Sequence, residues 1–404
     1  MNKKTSYRWQ ILPLSVLAML FAGILYAWSI LKVPFAKDFG WGAEQLSLNY
    51  TLTMCFFCLG GLLGSFLSRK IGVKAAIILS AALAGSGMAL TGMLRDGQAT
   101  ALYVTYALMA GLGIGIAYNV IVSTVTAWFP DKKGLCSGCL MMGFGMSSLI
   151  LGNVADALFK GTLARQGTYM ILGAALFVIL GLVSIFLRRP DGNANLPQPA
   201  KKADGAAEDF ASKDYTTKEM LRRFSFWRAF VLLTFVAAVG NSVISFTREL
   251  AISVGAAEAL ATILVGVLAV FNGLGRIVTG MLFDALGRKK TMLIATLVTI
   301  AAAGMMLLSV LTSSVVICVI GLCLIGLSYG SCPIMMTSLT ASFYGQKHFS
   351  SNFSIMTCHL LFASFMATAA SSLQSAFGGY TTSFVVLLIL ATLAFLLNLS
   401  IKRP

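Results

Sequence analysis

GVLAVFNGLGRIVTGMLFDALGRKK, residues 266–290, is the stretch on which the fold turns. From Gly266 through Phe283 it holds a single ionisable side chain, Arg276, and it then breaks into a loop with Asp284, Arg288, Lys289 and Lys290. With the apolar residues before it the run covers 259–283, and about 20 such residues let a helix cross a hydrocarbon layer of about 30 Å. In water the same run would be a large exposed apolar patch. The rest of the chain is of the same kind: 58% of its 404 residues are hydrophobic and 11% are charged, where soluble domains carry about 25% charged residues. Apolar runs exclude disorder, and the absence of a glycine triplet repeat excludes collagen. Eight cysteines in so long a chain do not make a disulfide scaffold. The reading is an all-α polytopic membrane protein.

Outward from that stretch the same signature recurs, giving twelve spans with cores at 10–31, 46–67, 75–94, 102–127, 135–156, 168–187, 226–247, 259–283, 291–311, 314–340, 351–373 and 381–400. The one long interruption, Arg188 to Arg223, contains Pro190, Gly192, Pro197, Pro199 and mixed charges, and reads as a solvated linker. The expected organisation is an N-terminal six-helix half (1–187), a cytoplasmic linker (188–224) and a C-terminal six-helix half (225–404). Small residues stand in rows, Gly60, Gly61 and Gly64 in the second span and Gly111, Gly113 and Gly115 in the fourth. They let helix backbones approach in lipid. The second row lacks the preceding strand and the spacing of a dinucleotide loop, so helix packing is the reading taken.

The formal net charge is +16, which on a soluble domain would point to a polyanion. Topology accounts for it better, because loops kept in the cytoplasm are enriched in Lys and Arg. With the N-terminus inside, 23 of the 30 cations fall on the cytoplasmic side, among them Lys3, Lys4, Arg8, Arg69, Lys70, Lys132, Lys133, Lys402 and Arg403. The acids divide eight inside and six outside, so the cytoplasmic face is strongly basic and the other neutral. Contact with anionic lipid headgroups follows, and no nucleic acid is required. The first span is too long for a secretory signal and eleven more follow it. The expected location is the cytoplasmic (inner) membrane of a prokaryote, multi-pass, with both termini cytoplasmic.

One loop pattern appears in both halves. Gly280-Met281-Leu282-Phe283-Asp284-Ala285-Leu286-Gly287-Arg288-Lys289-Lys290 closely resembles the cytoplasmic loop of the major facilitator superfamily. The copy between the second and third spans, Gly64-Ser65-Phe66-Leu67-Ser68-Arg69-Lys70-Ile71-Gly72-Val73-Lys74, is degenerate, with Ser68 where the family has aspartate, and this puts a salt-bridge latch there in question. Trp128-Phe129-Pro130-Asp131-Lys132-Lys133-Gly134-Leu135-Cys136-Ser137-Gly138 is similar to the loop after the fourth helix in the oxalate/formate antiporter family. The segments Gly23 to Ser29, Phe226-Trp227 and Asn272-Gly273-Leu274-Gly275-Arg276 fall in register with that family, which includes monocarboxylate-transporter-like members. The resemblance spans essentially the whole chain and implies a twelve-helix carrier working by alternating access. Asp284, Gly280, Arg288 and Arg69 are the expected conformational-loop residues, since glycines allow close helix contact while surface charges can pair differently in two states.

Arg276 is the leading candidate for substrate binding. An arginine near a helix centre costs roughly 2.5 to 3.5 kcal/mol even on a lenient scale, so it faces a cavity or a partner. No Asp or Glu lies at comparable depth in a span core. A small carboxylate fits, because guanidinium offers two donors in one plane. The alternative is snorkelling, since the cytoplasmic end is only about 10 Å away. Asn272 shares its face one turn earlier. Tyr118, Asn119 and Tyr329 bring polar groups to mid-membrane depth, where unpaired donors are unfavourable, and Tyr26 is a weaker candidate of the same kind. The resemblance implies that Tyr118 and Tyr329 line the cavity. It also implies a lysine in the eleventh span of oxalate-carrying relatives, where this chain has His359 at or beside that place. One permanent cation matches a monoanion better than a dianion. His359 is also the candidate for proton coupling, with a neutral histidine bonded to a neighbouring helix as the alternative.

Cys55/Cys58 and Cys136/Cys139 have metal-like spacing but lie on different helices far from either histidine in sequence, and thiols are common in apolar helices. No metal or cofactor is called for. No nucleophile triad, P-loop or intramembrane carboxylate pair is visible, so the chain is not read as an enzyme. The expected function is secondary transport of small organic anions, most of all monocarboxylates of the lactate, pyruvate or formate type, with proton coupling through His359 as a candidate feature. The alternatives are an oxalate/formate-type exchanger and a transporter-like carboxylate sensor. The expected partners are substrate, protons and the lipid bilayer, with the chain a monomer.

Overall fold

A peptide group in hydrocarbon finds no water to bond, so a spanning segment must satisfy its own backbone, and a helix does so within one segment. The computed structural model describes residues 3–190, 213–377 and 379–403; most of the expected linker, 191–212, lies outside the described residues. The first span occupies Tyr7–Phe39, followed by Ala43–Lys70, Gly72–Gly92, Ala99–Thr126, Lys133–Lys160 and Ala164–Phe186. After the short helix Thr217–Leu221 come Phe224–Ser253, Glu258–Thr312, Val315–Tyr344, the pair Phe349–Thr357 and His359–Phe377, and Thr381–Ser400. Glu258–Thr312 is two spans, the eighth and ninth, joined at Gly287 with φ 75°. That backbone conformation favours glycine. Among the described residues ten helices are long and apolar enough to cross a membrane; with Glu258–Thr312 divided in two and the pair Phe349–Thr357 and His359–Phe377 taken as one span, the total is twelve.

Local geometry departs from uniform α-helix in several of them. The first span tightens to a 3₁₀ turn at Gly23–Ala27, the fourth opens to a π-helical stretch at Tyr103–Gly111, and the eleventh breaks between Thr357 and His359. Such interruptions free carbonyls and re-aim side chains, and they recur at functional positions in helices.

The chain forms two compact units. One takes the sequence up to Asp131 and again from Leu140 through the sixth span; the other takes Lys132–Cys139 and the seventh to twelfth spans. In the first unit the second and fourth spans meet along their glycines: a Cβ on Gly115 would fall 2.9 Å from the Phe57 carbonyl carbon, and one on Gly111 3.0 Å from the Thr53 oxygen. The row Gly111, Gly113, Gly115 is therefore a packing surface. At one end of this unit Arg8 pairs with Asp131, its second bond 3.1 Å long, and stacks over Phe129 at 5.1 Å. The Trp128 indole donates to the Arg188 carbonyl at 2.7 Å.

The second unit packs Val243, Phe246, Leu268, Met306, Leu322 and Phe384 into its core. The chain just before its seventh span is pinned to it. The Asp214 carboxylate accepts from the amides of Gln346 (2.8 Å) and Lys347 (3.1 Å), and Asn352 Nδ2 donates to the Tyr215 carbonyl at 3.0 Å. Thr216 and Glu219 form a reciprocal capping box on Thr217–Leu221. The Thr216 bonds hold the Glu219 carboxyl down to about 2.

Gly115→Val forces its side chain into the Phe57 backbone, and we expect a loss of about 1–3 kcal/mol from overpacking. Thermal unfolding of the purified protein measures it, with Gly181→Val, where a Cβ meets nothing within 4 Å, as the tolerant control.

Candidate functional site

Arg276 sits on the eighth span at 3% exposure, and Asn272 one turn before it is buried too. The Arg276 Nε donates to the Asn272 Oδ1 at 3.3 Å, which fixes the plane of the guanidinium. The tenth span closes on this turn at Gly330, where a Cβ would lie 3.1 Å from the Arg276 amide nitrogen and press on the Asn272 carbonyl oxygen. Only glycine permits that approach, so the arginine's backbone is set by two helices in contact.

His359 begins the second segment of the eleventh span and is 1% exposed. Its Nδ1 lies 2.8 Å from the Met356 carbonyl oxygen and its Nε2 3.5 Å from the Cys332 Sγ. A carbonyl can only accept, so Nδ1 carries a proton, while Nε2 is in contact with a thiol whose single proton serves one acceptor at a time. Cys332 also reaches the Leu233 carbonyl at 3.6 Å, and the Phe230 ring packs edge-on to the imidazole. The thiol and imidazole thus tie the seventh, tenth and eleventh spans together. Tyr329, buried on the tenth span, lays its ring against Gly240 of the seventh, where a Cβ would fall 2.6 Å from it.

The first unit gathers a second group. The Tyr118 hydroxyl donates to the Met141 Sδ at 3.0 Å, and its ring meets Phe57 at 5.1 Å and Phe144 at 5.0 Å. Tyr26, half-buried, meets the same Phe144 at 5.3 Å. Asn119 is buried. So Arg276, Asn272, Tyr329 and His359 belong to one unit, while Tyr26, Tyr118 and Asn119 belong to the other.

The loop residues take defined places. Asp284 accepts from the amides of Gly134 (2.9 Å) and Leu135 (2.8 Å), in the first turn of Lys133–Lys160, beside Gly280, whose carbonyl abuts Gly134. A carboxylate there satisfies orphan amides and meets the positive end of the helix dipole. Arg288 is buried with its guanidinium over Phe343 at 4.6 Å. Arg69 is exposed. Ser68 accepts a bond from Arg189 at 3.3 Å, and burial, with the nearby Arg69 charge, lowers the Arg189 affinity for its proton.

Cys332, Gly330 and Phe144 are site residues that sequence reading passed over. The run Gly330-Ser331-Cys332 marks close packing by its small side chains, but nothing in it names His359 as a neighbour. Phe144 carries no signal in an apolar helix.

Comparison with known proteins places these features in a family. The Major Facilitator Superfamily model matches residues 11–367 and 230–404. The chain is 29% identical over 307 residues to the oxalate:formate antiporter of Oxalobacter formigenes, covering 74% of this chain and 70% of that one. It is 24% identical over 384 residues to monocarboxylate transporter 12 of Rattus norvegicus, covering 89% and 77%. Among solved structures, the transporter FucP in the outward conformation superposes with a TM-score of 0.73 at 17% identity, covering 99% of this chain and 100% of that one. The proton:xylose symporter XylE gives 0.73 at 15%, covering 99% and 97%. These last two speak to fold alone. A family match over most of the chain, joined to twelve spans, makes this protein a multi-pass membrane transporter, not an enzyme, and a member of the major facilitator superfamily.

Proposed function

We propose that this transporter carries small organic monoanions, of the lactate, pyruvate or formate type, with Arg276 binding the carboxylate. The observation that carries the reading is a guanidinium at 3% exposure inside the eighth span, its plane set by a neutral amide, Asn272. Guanidinium matches a carboxylate bidentately, and at low dielectric that pairing is strong enough to select for charge. Asn272 and Tyr329 are the proposed hydrogen-bonding contacts beside Arg276. Both termini lie on the cytoplasmic side. Transport runs by alternating access on the gradient of substrate or product, with Asp284 capping the fifth helix in one of the two states.

The preference for a monoanion rests on His359. Its two ring nitrogens already have partners in Met356 and Cys332, which supports a ring engaged in packing rather than offered to substrate and leaves Arg276 as the cation that meets the anion. In this reading His359 is a positioning residue rather than the proton carrier. Kinship with the oxalate:formate antiporter favours, as a second reading, exchange of one anion for another. Empty proteoliposomes separate the two: uptake into vesicles that hold no internal anion proceeds under uncoupled carriage and stops under obligate exchange.

Arg276→Lys keeps charge and loses the planar fork, so uptake of labelled lactate falls by at least about tenfold. Normal uptake by a well-folded variant would sink the binding role. Cys332→Ala leaves Nε2 of His359 buried without its thiol and costs about 1–3 kcal/mol in thermal unfolding, while Cys332→Ser retains most of the stability; equal melting of wild type and both variants argues against the pair. His359→Gln is expected to leave the ratio of protons to substrate unchanged in a pH-sensitive dye assay, and a lost proton signal would restore the histidine as carrier.

A further inference from the structure

The start of the seventh span carries a basic and aromatic surface. Arg222, Arg223 and Arg228 are exposed there, beside Phe224 at 81% and Trp227 at 51% exposure. The Arg228 Nη1 donates to the Ser400 carbonyl at 2.8 Å, which brings the end of the twelfth span, with exposed Lys402 and Arg403, to the same place. The acids of the neighbourhood are turned away: Asp214 to the amides of Gln346 and Lys347, Glu219 to Thr216 and Lys213. Among the described residues none of these five cations pairs with a carboxylate. The Trp227 Nε1 bonds the Leu221 carbonyl at 3.0 Å, holding the indole in place.

Unpaired cations next to large exposed rings at the end of a span suit a ligand that is anionic at one end and apolar at the other. We propose that this surface binds an anionic glycerophospholipid, its phosphodiester among Arg222, Arg223 and Arg228 and its acyl chains along Phe224 and Trp227. A free phosphate would satisfy the charges and leave the rings uncovered; a zwitterionic lipid would cover the rings and bring no net charge. The surface is also wired into the second unit. Thr217 donates to the Asn352 Oδ1 at 3.0 Å, and Asn352 holds Tyr215, so a lipid fixing Arg222 and Arg223 steadies the first turns of the eleventh span. The proposal is independent of which anion is carried.

The test uses the full chain in nanodiscs of phosphatidylcholine with a minor fraction of acyl-brominated phosphatidylglycerol or acyl-brominated phosphatidylcholine. The Trp227 signal is the difference between wild type and Trp227→Phe. Quenching is expected to report local enrichment of phosphatidylglycerol of at least about fivefold, the factor one cation near an anionic headgroup supplies. The triple variant Arg222→Gln, Arg223→Gln, Arg228→Gln should return it to the bulk ratio, and Lys289→Gln with Lys290→Gln should leave it in place. Equal quenching by the two lipids in wild type, or enrichment surviving in the triple variant, overturns the proposal. So does equal loss in the lysine control, which would mean general surface charge, or an equal thermal shift from inorganic phosphate alone, which would mean an anion site. Should the triple variant fail to fold, the wild-type comparison of the two lipids still decides.

Discussion

A permanent positive charge held in a layer that solvates charge poorly is the constraint around which this molecule is organised. Arg276 carries a guanidinium and is almost entirely enclosed by protein. Its neighbours are arranged to keep it oriented. Asn272 sets the guanidinium plane, and Gly330 admits the tenth span so closely that the arginine's backbone has no latitude. Under the proposed function such rigidity is useful, because a pre-oriented donor pair loses little entropy on meeting a carboxylate.

The second unit repeats that economy of polar groups. His359, Cys332 and the Met356 and Leu233 carbonyls form one small network joining three spans. The carbonyl that accepts from Nδ1 belongs to the turn before the break at Cys358, where the helix is interrupted. An α-helical ladder uses its carbonyls internally, so the interruption and the histidine's orientation are one structural fact. The same logic governs Asp284, which meets the fifth helix at the end where amides lack partners.

Much of this was legible in the residues. Spans such as 259–283 and 381–400 announce themselves by length and apolar content, and Arg276 stands out because hydrocarbon makes an arginine conspicuous. Asn272 follows from helical spacing. The glycine row of the fourth span promised close packing; Gly111 and Gly115 lie against the second span and Gly113 against the third. The partner of His359 was not legible: Cys332 is 27 residues away, and no rule of spacing relates positions on two antiparallel or adjacent helices. The broken eleventh span and the π-helical stretch of the fourth were equally silent, since their composition matches that of continuous helices.

By itself, then, the sequence determined that the chain lives in a bilayer as a series of helices, which end is basic, and where one charge lies at depth; each is a property of composition along a single segment. The tertiary structure alone decided which side chains meet: that Asn272 orients Arg276, that a thiol faces His359, that Asp284 caps the fifth helix and that Arg228 reaches Ser400. Rotation and register between helices come from packing many small contacts at once, and a linear pattern of apolar residues facing lipid and protein alike carries almost no record of them.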